Sequence, residues 1–305
     1  MLARLQQALA LLWLSAWVWG AAAAAQQGRW ALAAGWAGGL LLGHALWLGV
    51  SMALAQWRNR RDPAGPATAA QAWRAWWREA LLAPRVFGWR QPFRSRQWAD
   101  FLPHTPGQPG VLLVHGFVCN RGLWNPWLKR LRQEGVAHAA VDLEPVFGSI
   151  DDYAPRIEAA VRALEAATGV PPLVVAHSMG GLAVRAWLRA SGGDARLRRV
   201  LTLGTPHEGT WLAHAAFSTN GREMRPEGEW LRDLAAQEPL TRRARFVCVW
   251  SRCDQIVFPA STACLAGARA HEVVGVAHVD LVEQPEVRAL AWRLLRDPAP
   301  GTGAG

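Results

Sequence analysis

The chain has 305 residues and a mass of 33.4 kDa, enough for one large α/β domain and a smaller additional segment without disulfide support. Its 33 lysines and arginines outnumber its 23 aspartates and glutamates, which gives a formal net charge of +10. The most basic stretch, between Arg58 and Arg96, directly follows a long apolar segment. We therefore expect the charge to meet anionic lipid headgroups, and we exclude nucleic acid as a partner.

Two long uncharged runs lie near the N-terminus. They extend from Leu9 to Ala25 and from Trp30 to Trp57, and each is near or above the roughly 20 residues that cross a bilayer as a helix. Three arginines between residues 58 and 61 follow the second run, in keeping with the positive-inside tendency. We predict a transmembrane helical hairpin in residues 1–62, with the following domain on the cytoplasmic face of a bacterial inner membrane.

Two details of this segment allow a second interpretation. The first run could be a cleaved signal peptide, because Arg4 precedes it and the alanines at 21–25 resemble a cleavage region. Either interpretation leaves the following domain on the side where it was made. His44 could be a proton or ligand site, but a histidine that packs within the hairpin is favoured, because polar groups in membranes usually pair with a neighbour.

Residues 63–102 form a basic, tryptophan-rich connector. At helical spacing, apolar residues occupy one face and basic residues the other; they are Trp73, Trp76, Trp77, Ala80 and Leu81, against Arg74 and Arg78. This pattern predicts an amphipathic helix lying in the membrane interface. The alternative is a helix packed on the following domain.

From residue 103 to 297, strand-like and helical segments alternate. The predicted strands are Val111–Val114, Ala137–Leu143, Leu173–Ala176, Val200–Leu203, Phe246–Trp250 and Glu272–Val276, and the predicted helices are Asp151–Ala167, Gly180–Ala190 and Pro285–Arg296. Repeated βα units predict an α/β fold with a mostly parallel sheet covered by helices on both faces. Residues 205–244 interrupt the alternation and predict a lid. Residues 298–305 are predicted to be a disordered tail.

The run from Ala176 to Gly181 carries the strongest indication of chemistry. Ser178 lies between a short apolar run and a helix-spaced segment, which is the arrangement of a nucleophile elbow, a tight strand-to-helix turn that exposes a serine oxygen. Such a turn needs small neighbours because its backbone is cramped. Ala176 replaces the first glycine of the G-x-S-x-G pattern and Gly180 supplies the second. We predict that Ser178 is a nucleophile.

A serine nucleophile needs a base, and the base needs a carboxylate that orients it. In sheets of this kind the three groups occur in the order serine, acid, histidine, on loops that follow strands. Asp254 and His278 each come just after a predicted strand, so Ser178, Asp254 and His278 are the predicted catalytic triad. The rival acids are Asp280, which is too close in sequence to His278, and Asp233, which lies in the predicted lid.

Backbone N–H groups are expected to stabilise the developing oxyanion. One donor is Met179, the residue after the nucleophile, and the other is Phe117, in the loop after the first strand of the domain. His115 is expected to shape that loop and, with Gly116, to border the substrate. His177, although adjacent to Ser178, is predicted to be structural rather than catalytic.

Five short motifs follow one another in this domain. They are Val114-His115-Gly116-Phe117, Ala176-His177-Ser178-Met179-Gly180-Gly181, Leu203-Gly204-Thr205-Pro206-His207-Glu208-Gly209-Thr210, Asp254-Gln255-Ile256-Val257 and Gly275-Val276-Ala277-His278. Together they resemble α/β-hydrolases of the bacterial triacylglycerol lipase and esterase type, from Val111 to about Arg296. The resemblance implies the α/β-hydrolase fold and ester hydrolysis through an acyl-enzyme on Ser178. It also places the Thr205 to Thr210 stretch near the rim of the site.

The prediction for the whole chain is a membrane-anchored serine hydrolase acting on carboxylic, lipid-like esters. Thr205, Pro206 and Trp211 are predicted to contact the substrate. Secreted relatives of this type often bind structural calcium, but no carboxylate cluster in the sequence calls for one, so we expect no metal and no cofactor. An acyltransferase or thioesterase with the same triad is the alternative, and a noncatalytic membrane scaffold is a third interpretation.

Overall fold

The computed structural model describes residues 1–196 and 198–297. It contains an N-terminal helical part followed by a parallel sheet with helices on both faces. The predicted disordered tail, residues 298–305, lies outside the described residues.

The two apolar runs form a helical hairpin. Helix α1 (Leu2–Gln26) and helix α2 (Trp30–Asn59) pack against each other, and the indole N–H of Trp17 donates to the carbonyl of Trp36 at 2.7 Å. Within the described residues, α1 is the one helix that length and composition mark as able to cross a membrane. The transmembrane hairpin therefore remains a prediction, although both helices exist.

The connector begins with helix α3 (Ala69–Ala83), whose first turn is closed by a reciprocal capping box between Thr68 and Gln71. A π-helix at Pro84–Arg90 and the short helix α4 (Gln91–Arg94) continue it. Helix α3 packs along the second half of α2, where Trp76 donates to the carbonyl of Ala45 at 2.7 Å.

The basic face of α3 contacts the sheet domain, and the position of the helix in a membrane interface stays a prediction. Arg78 forms a two-point ion pair with Asp280 of the sheet domain, at 2.8 and 3.2 Å, and Arg74 donates to the carbonyl of Val274 at 3.4 Å. These arginines therefore bind the domain, as the alternative interpretation expected. The adjoining side of α3 remains open, since Trp73, Trp77 and Leu81 are each more than half exposed.

His44 packs against a neighbouring helix, as the sequence favoured, but this helix is α3 and not the other helix of the hairpin. Its Nε2 lies 2.8 Å from the carbonyl oxygen of Ala80, so it joins α2 to α3. A carbonyl can only accept a hydrogen bond, and the ring nitrogen is therefore the donor.

Six parallel strands form the sheet, in the order β2-β1-β3-β4-β5-β6. The strands are β1 (Val111–Val114), β2 (His138–Val141), β3 (Leu173–His177), β4 (Arg199–Leu203), β5 (Phe246–Trp250) and β6 (Arg269–Glu272). The remaining helices are α5 (Asn125–Gln133), α6 (Ala154–Thr168), α7 (Met179–Ser191), α8 (Thr219–Glu223), α9 (Glu229–Ala236), α10 (Leu240–Arg243) and α11 (Pro285–Arg296). The predicted parallel sheet is confirmed.

Alternate residues of the strands enter two apolar cores, one on each face of the sheet. Leu112 and Val174 pack with residues of α6 and α7, whereas Leu113 and Val175 pack with residues of α5 and α11. Because both faces are covered, the strands are apolar along their whole length rather than alternating. The carboxyl ends of all the strands meet at one edge, where the loops that follow them lie close together.

The last strand differs from its prediction. Glu272–Val276 was expected, but the strand is Arg269–Glu272, and only the amide of Val273 continues the pairing, to the carbonyl of Trp250. A strand at the edge of the sheet is partly open to solvent, and its four residues carry polar side chains or exposed alanine. The apolar pattern instead marks the loop residues Val273 and Val276, which are buried in the core.

Residues 205–244, the predicted lid, are anchored to the domain body. Arg185 of α7 and Glu238 are both buried and form an ion pair at 2.6 Å, and Arg185 also donates to the carbonyl of His207. At the other side, Asn220 donates to the carbonyl of Val146 at 2.8 Å. Breaking a buried pair by removing one partner costs about 3–5 kcal/mol. The segment is therefore fixed at both points, and its role as a lid remains a prediction.

Candidate active site

Ser178 occupies the tight turn between β3 and α7. Its φ of 55° and ψ of −133° lie outside the regions that side-chain-bearing residues prefer, and such strain persists only where the surroundings enforce it. Two bonds enforce it here. The Ser178 N–H donates to the carbonyl of Leu203 at 2.9 Å, and its carbonyl accepts from the Thr205 hydroxyl at 2.9 Å.

Asp254 and His278 are in direct contact. The Nδ1 of His278 lies 2.7 Å from the Oδ2 of Asp254, and both side chains are buried. The other oxygen of Asp254 accepts the N–H groups of Ile256 and Val257, each at 2.8 Å. The carboxylate is thus held by its own loop, and it fixes the tautomer of His278 that leaves Nε2 free to accept a proton.

Electrostatics favour the protonated form of this histidine. Burial lowers the pKa of His278, but the charge of Asp254 and the hydrogen bond to it outweigh burial, so the pKa lies above its ordinary value.

Gly204 lies between the serine turn and the Asp254–His278 pair. The sequence analysis assigned no role to this residue. It follows β4 with a φ of +56°, and a Cβ built on it would stand 2.8 Å from the Asp254 Oδ2 and 3.0 Å from the His278 Nδ1. Its neighbour Leu203 binds the Ser178 N–H. The residue therefore has to lack a side chain for the pair to approach the serine turn. The hydroxyl of Ser178 itself makes no hydrogen bond to His278 among the described residues; in the absence of substrate such contacts are often long.

His177 packs directly against the candidate base. Its ring centroid is 4.6 Å from that of His278, and its Nε2 donates to the His278 carbonyl at 3.2 Å. Burial, followed by the nearby charge of His278, holds the pKa of His177 well below its usual range. A neutral ring that braces the backbone of His278 fits the structural role predicted for it.

Two backbone N–H groups near Ser178 have no hydrogen-bond acceptor among the residues that the structure describes. Met179 is the first residue of α7, so its N–H has no acceptor within the helix. The N–H of Phe117, in the loop after β1, donates to no group in the described part of the chain. Gly116 brings this loop to the serine, since a Cβ at that position would stand 2.6 Å from the Ser178 Cβ.

His115 is fully engaged with the backbone. Its Nδ1 donates to the carbonyl of Gly116 at 2.9 Å, and its Nε2 accepts from the N–H of Leu143 at 3.1 Å. With both nitrogens used and the ring buried, the histidine supports the loop. This fits the expectation that it shapes the turn better than the expectation that it touches substrate.

Three other predicted substrate contacts have protein partners of their own. Thr205 and Pro206 are buried, and Thr205 supports the elbow through its bond to the Ser178 carbonyl. Trp211 stacks on Phe258, with centroids 6.0 Å apart, and lies under the guanidinium of Arg58. The cavity of about 590 Å³ that Trp211 lines is bordered by none of the predicted triad residues.

The rival acids are occupied elsewhere or exposed. Asp280 is paired with Arg78, and Asp233 is exposed on α9. Asp254 is therefore the carboxylate that contacts His278, as expected from its position after β5.

No protein-family model matches this chain, and neither does any curated protein. Solved structures do match it. The mature lipase BlEst2 of Bacillus licheniformis aligns with a TM-score of 0.56 at 19% identity, over 65% of this chain and 96% of the lipase. Lipase B of Aspergillus fumigatus aligns with a TM-score of 0.56 at 18% identity, over 67% of this chain and 57% of that one.

At such low identity, these similarities show the fold. Both neighbours are lipases, and the parallel sheet of this chain fits the α/β-hydrolase architecture that they share. The fold predicted from the five motifs is thus confirmed, whereas the narrower lipase and esterase type remains a prediction. A fold by itself does not establish an activity.

Proposed function

We propose that the chain is a serine hydrolase that cleaves carboxylic esters through an acyl-enzyme on Ser178. The observation that carries the proposal is the buried Asp254–His278 pair, 2.7 Å apart, held beside a strained serine at a strand-to-helix turn. The similarity in fold to two lipases supports it.

In the first half of the reaction, the Nε2 of His278 takes the proton of the Ser178 hydroxyl while the oxygen attacks the ester carbonyl. Asp254 holds the imidazole and stabilises the imidazolium that forms. The free N–H groups of Met179 and Phe117 bind the tetrahedral oxyanion. The imidazolium then gives its proton to the departing alcohol. In the second half of the reaction, His278 takes a proton from water as the water oxygen attacks the acyl carbonyl. The carboxylic acid is released when Ser178 regains its proton from His278.

We propose that the acyl group of the substrate is apolar and lipid-like. Phe117 packs against Phe147 with ring centroids 6.0 Å apart. Phe147 and Val118, which follows Phe117 in the loop after β1, are both exposed. Phe217, in the segment that packs on the Phe147 loop, is 92% exposed. Exposed apolar side chains grouped at a site mark a surface for apolar ligands or membranes.

The ester substrate can be tested together with the pH dependence. We expect hydrolysis of nitrophenyl esters, and kcat/KM should fall as the pH drops through the raised pKa of His278, because only the neutral imidazole accepts the serine proton. The acid limb should therefore lie above the ordinary pKa of histidine. A purified, folded chain that hydrolyses none of a series of short and long acyl esters would contradict the proposal.

We propose further that α1 and α2 insert in a membrane, with the sheet domain on the cytoplasmic face. Large apolar side chains on both helices are exposed, among them Leu12, Trp13, Trp19, Leu46 and Trp47, and arginines follow α2. Contacts of Gln6 and Gln7 with Gln91 and Pro92 support a first helix that stays with the domain rather than a cleaved signal.

Protease digestion tests this topology. In intact spheroplasts the sheet domain should be protected, and in inverted membrane vesicles it should be digested. Digestion in spheroplasts would place the domain on the outer face, and release of the full chain by alkaline carbonate would contradict insertion.

A further inference from the structure

A buried carboxylate outside the sheet domain reaches the loop of the candidate base. Glu79 belongs to α3, yet only 1% of its surface is exposed. A buried carboxylate is costly unless hydrogen bonds compensate it. The partners of Glu79 therefore show what holds it there.

Those partners follow His278 directly. The N–H of Val279 donates to the Oε1 of Glu79 at 2.9 Å, and the N–H of Asp280 donates to its Oε2 at 3.0 Å. The carboxylate thus binds two consecutive backbone groups, as a cap does, and fixes the chain immediately after His278.

A third partner extends the connection to the loop of Asp254. Gln255 donates from Nε2 to the Oε1 of Glu79 at 3.1 Å, and its Oε1 accepts the N–H of His278 at 3.2 Å. Since Gln255 follows Asp254 in the chain, one carboxylate and one amide tie together both loops that present the Asp254–His278 pair.

Helix α3 is itself held firmly. Trp76 and His44 join it to α2, and the two-point ion pair of Arg78 with Asp280 joins it to the sheet domain. Glu79 therefore acts from a fixed support rather than from a mobile segment.

We propose that Glu79 is a positioning residue for His278, through which the N-terminal helical part sets the geometry of the active site. This inference rests on the proposed hydrolase function. Glu79 does not touch the reacting atoms; it orients the backbone of the base. Burial raises the pKa of Glu79, while the hydrogen bonds from Val279, Gln255 and Asp280 and the charge of His278 lower it. In its ionised form the carboxylate faces the imidazolium that forms during catalysis.

The charges around His278 predict the direction in which the pH profile of kcat/KM shifts when Glu79 is replaced. Burial lowers its pKa, while Asp254 and, more weakly, Glu79 raise it. The remaining neighbour, His177, is neutral, and Asp280 is compensated by Arg78. Removing the charge of Glu79 should therefore move the acid limb of kcat/KM to lower pH.

The test compares three variants of the full chain in detergent micelles. In Glu79→Gln the amide nitrogen replaces one acceptor oxygen and meets a backbone N–H. We expect kcat to fall about 10- to 100-fold, as for a small displacement of a catalytic group, with little change in KM and an acid limb at lower pH. Gln255→Met breaks the bridge but keeps the charge, so kcat should fall while the acid limb stays near that of the wild type.

Thr68→Ala is the matched control. It removes the capping box of α3, at about 1 kcal/mol of stability, without touching either loop, so kcat and the acid limb should be unchanged. The inference is overturned if Thr68→Ala reproduces the loss of kcat, or if folded Glu79→Gln and Gln255→Met keep the wild-type kcat. A wild-type chain that neither hydrolyses esters nor reacts with a fluorophosphonate would instead remove the proposed function, and this inference with it.

Discussion

Replacing Ser178 with alanine should lower the turnover of nitrophenyl esters by about 10⁶-fold, the scale of loss when a serine nucleophile is removed. The hydroxyl is the only group in the proposed mechanism that forms the acyl bond, and no other described side chain at the turn can replace it. Circular dichroism and thermal unfolding should be unchanged, since the variant keeps the backbone bonds of the turn.

Ser191→Ala is a matched control for this variant. Ser191 is the last residue of α7, and within the described part of the chain its hydroxyl binds the carbonyl of Trp187 and the amide of Gly193. Its removal should leave turnover within a factor of two or so of the wild type, as expected for a surface change. If Ser178→Ala kept turnover comparable to this control, Ser178 would not be the nucleophile.

Asp254→Asn should reduce kcat by about 10⁴-fold, the loss seen when an orienting carboxylate becomes an amide. Asp254 accepts the Nδ1–H of His278 on one oxygen and two backbone N–H groups on the other. An asparagine has one acceptor oxygen, so either the loop bonds or the histidine tautomer must change.

The loss of charge also predicts a shift in the pH profile. Without the carboxylate, burial dominates the pKa of His278, and the acid limb of the residual kcat/KM should move to lower pH. The exposed residue Asp233 provides the control, because Asp233→Asn should leave both the rate and the limb unchanged. An Asp254→Asn enzyme with wild-type kcat would assign the orienting role to another group.

The sequence predicted those parts of the candidate site that lie within contiguous motifs. Ser178 could be recognised because the turn requires a short apolar strand, a small-residue turn and a helix in succession. His278 and Asp254 could be placed because the loops after parallel strands meet at one edge of the sheet. These constraints act along the chain or through the order of strands, so they leave a local pattern.

The contributions of Glu79 and Gly204 could not be predicted in this way. Gly204 is needed because two loops that are distant in sequence approach it. Glu79 reaches the active-site loop only because α3 packs against the backbone that follows His278. One signal for Glu79 was present, since it is the single acidic residue between Asp62 and Asp100 in a basic segment. A lone acid in such surroundings is a candidate for a buried partner.

Polarity explains the remaining differences. The edge strand β6 was misplaced because an edge strand needs no apolar residues. Trp211 packs on Phe258, and its contact with substrate stays a prediction. The basic face of α3 resembled a headgroup-binding surface, but its arginines instead pair with an acid and a carbonyl of the sheet domain. In each case the composition was compatible with two environments, and tertiary packing selected one.

The most direct measurement is to locate a fluorophosphonate adduct by mass spectrometry on the full chain in detergent micelles. The reagent reacts with serines that are activated by a base, so we expect one adduct, on Ser178, that forms much more slowly in Asp254→Asn. A folded chain that carries no adduct, or carries it on a different serine, would contradict the proposed arrangement of Ser178, Asp254 and His278.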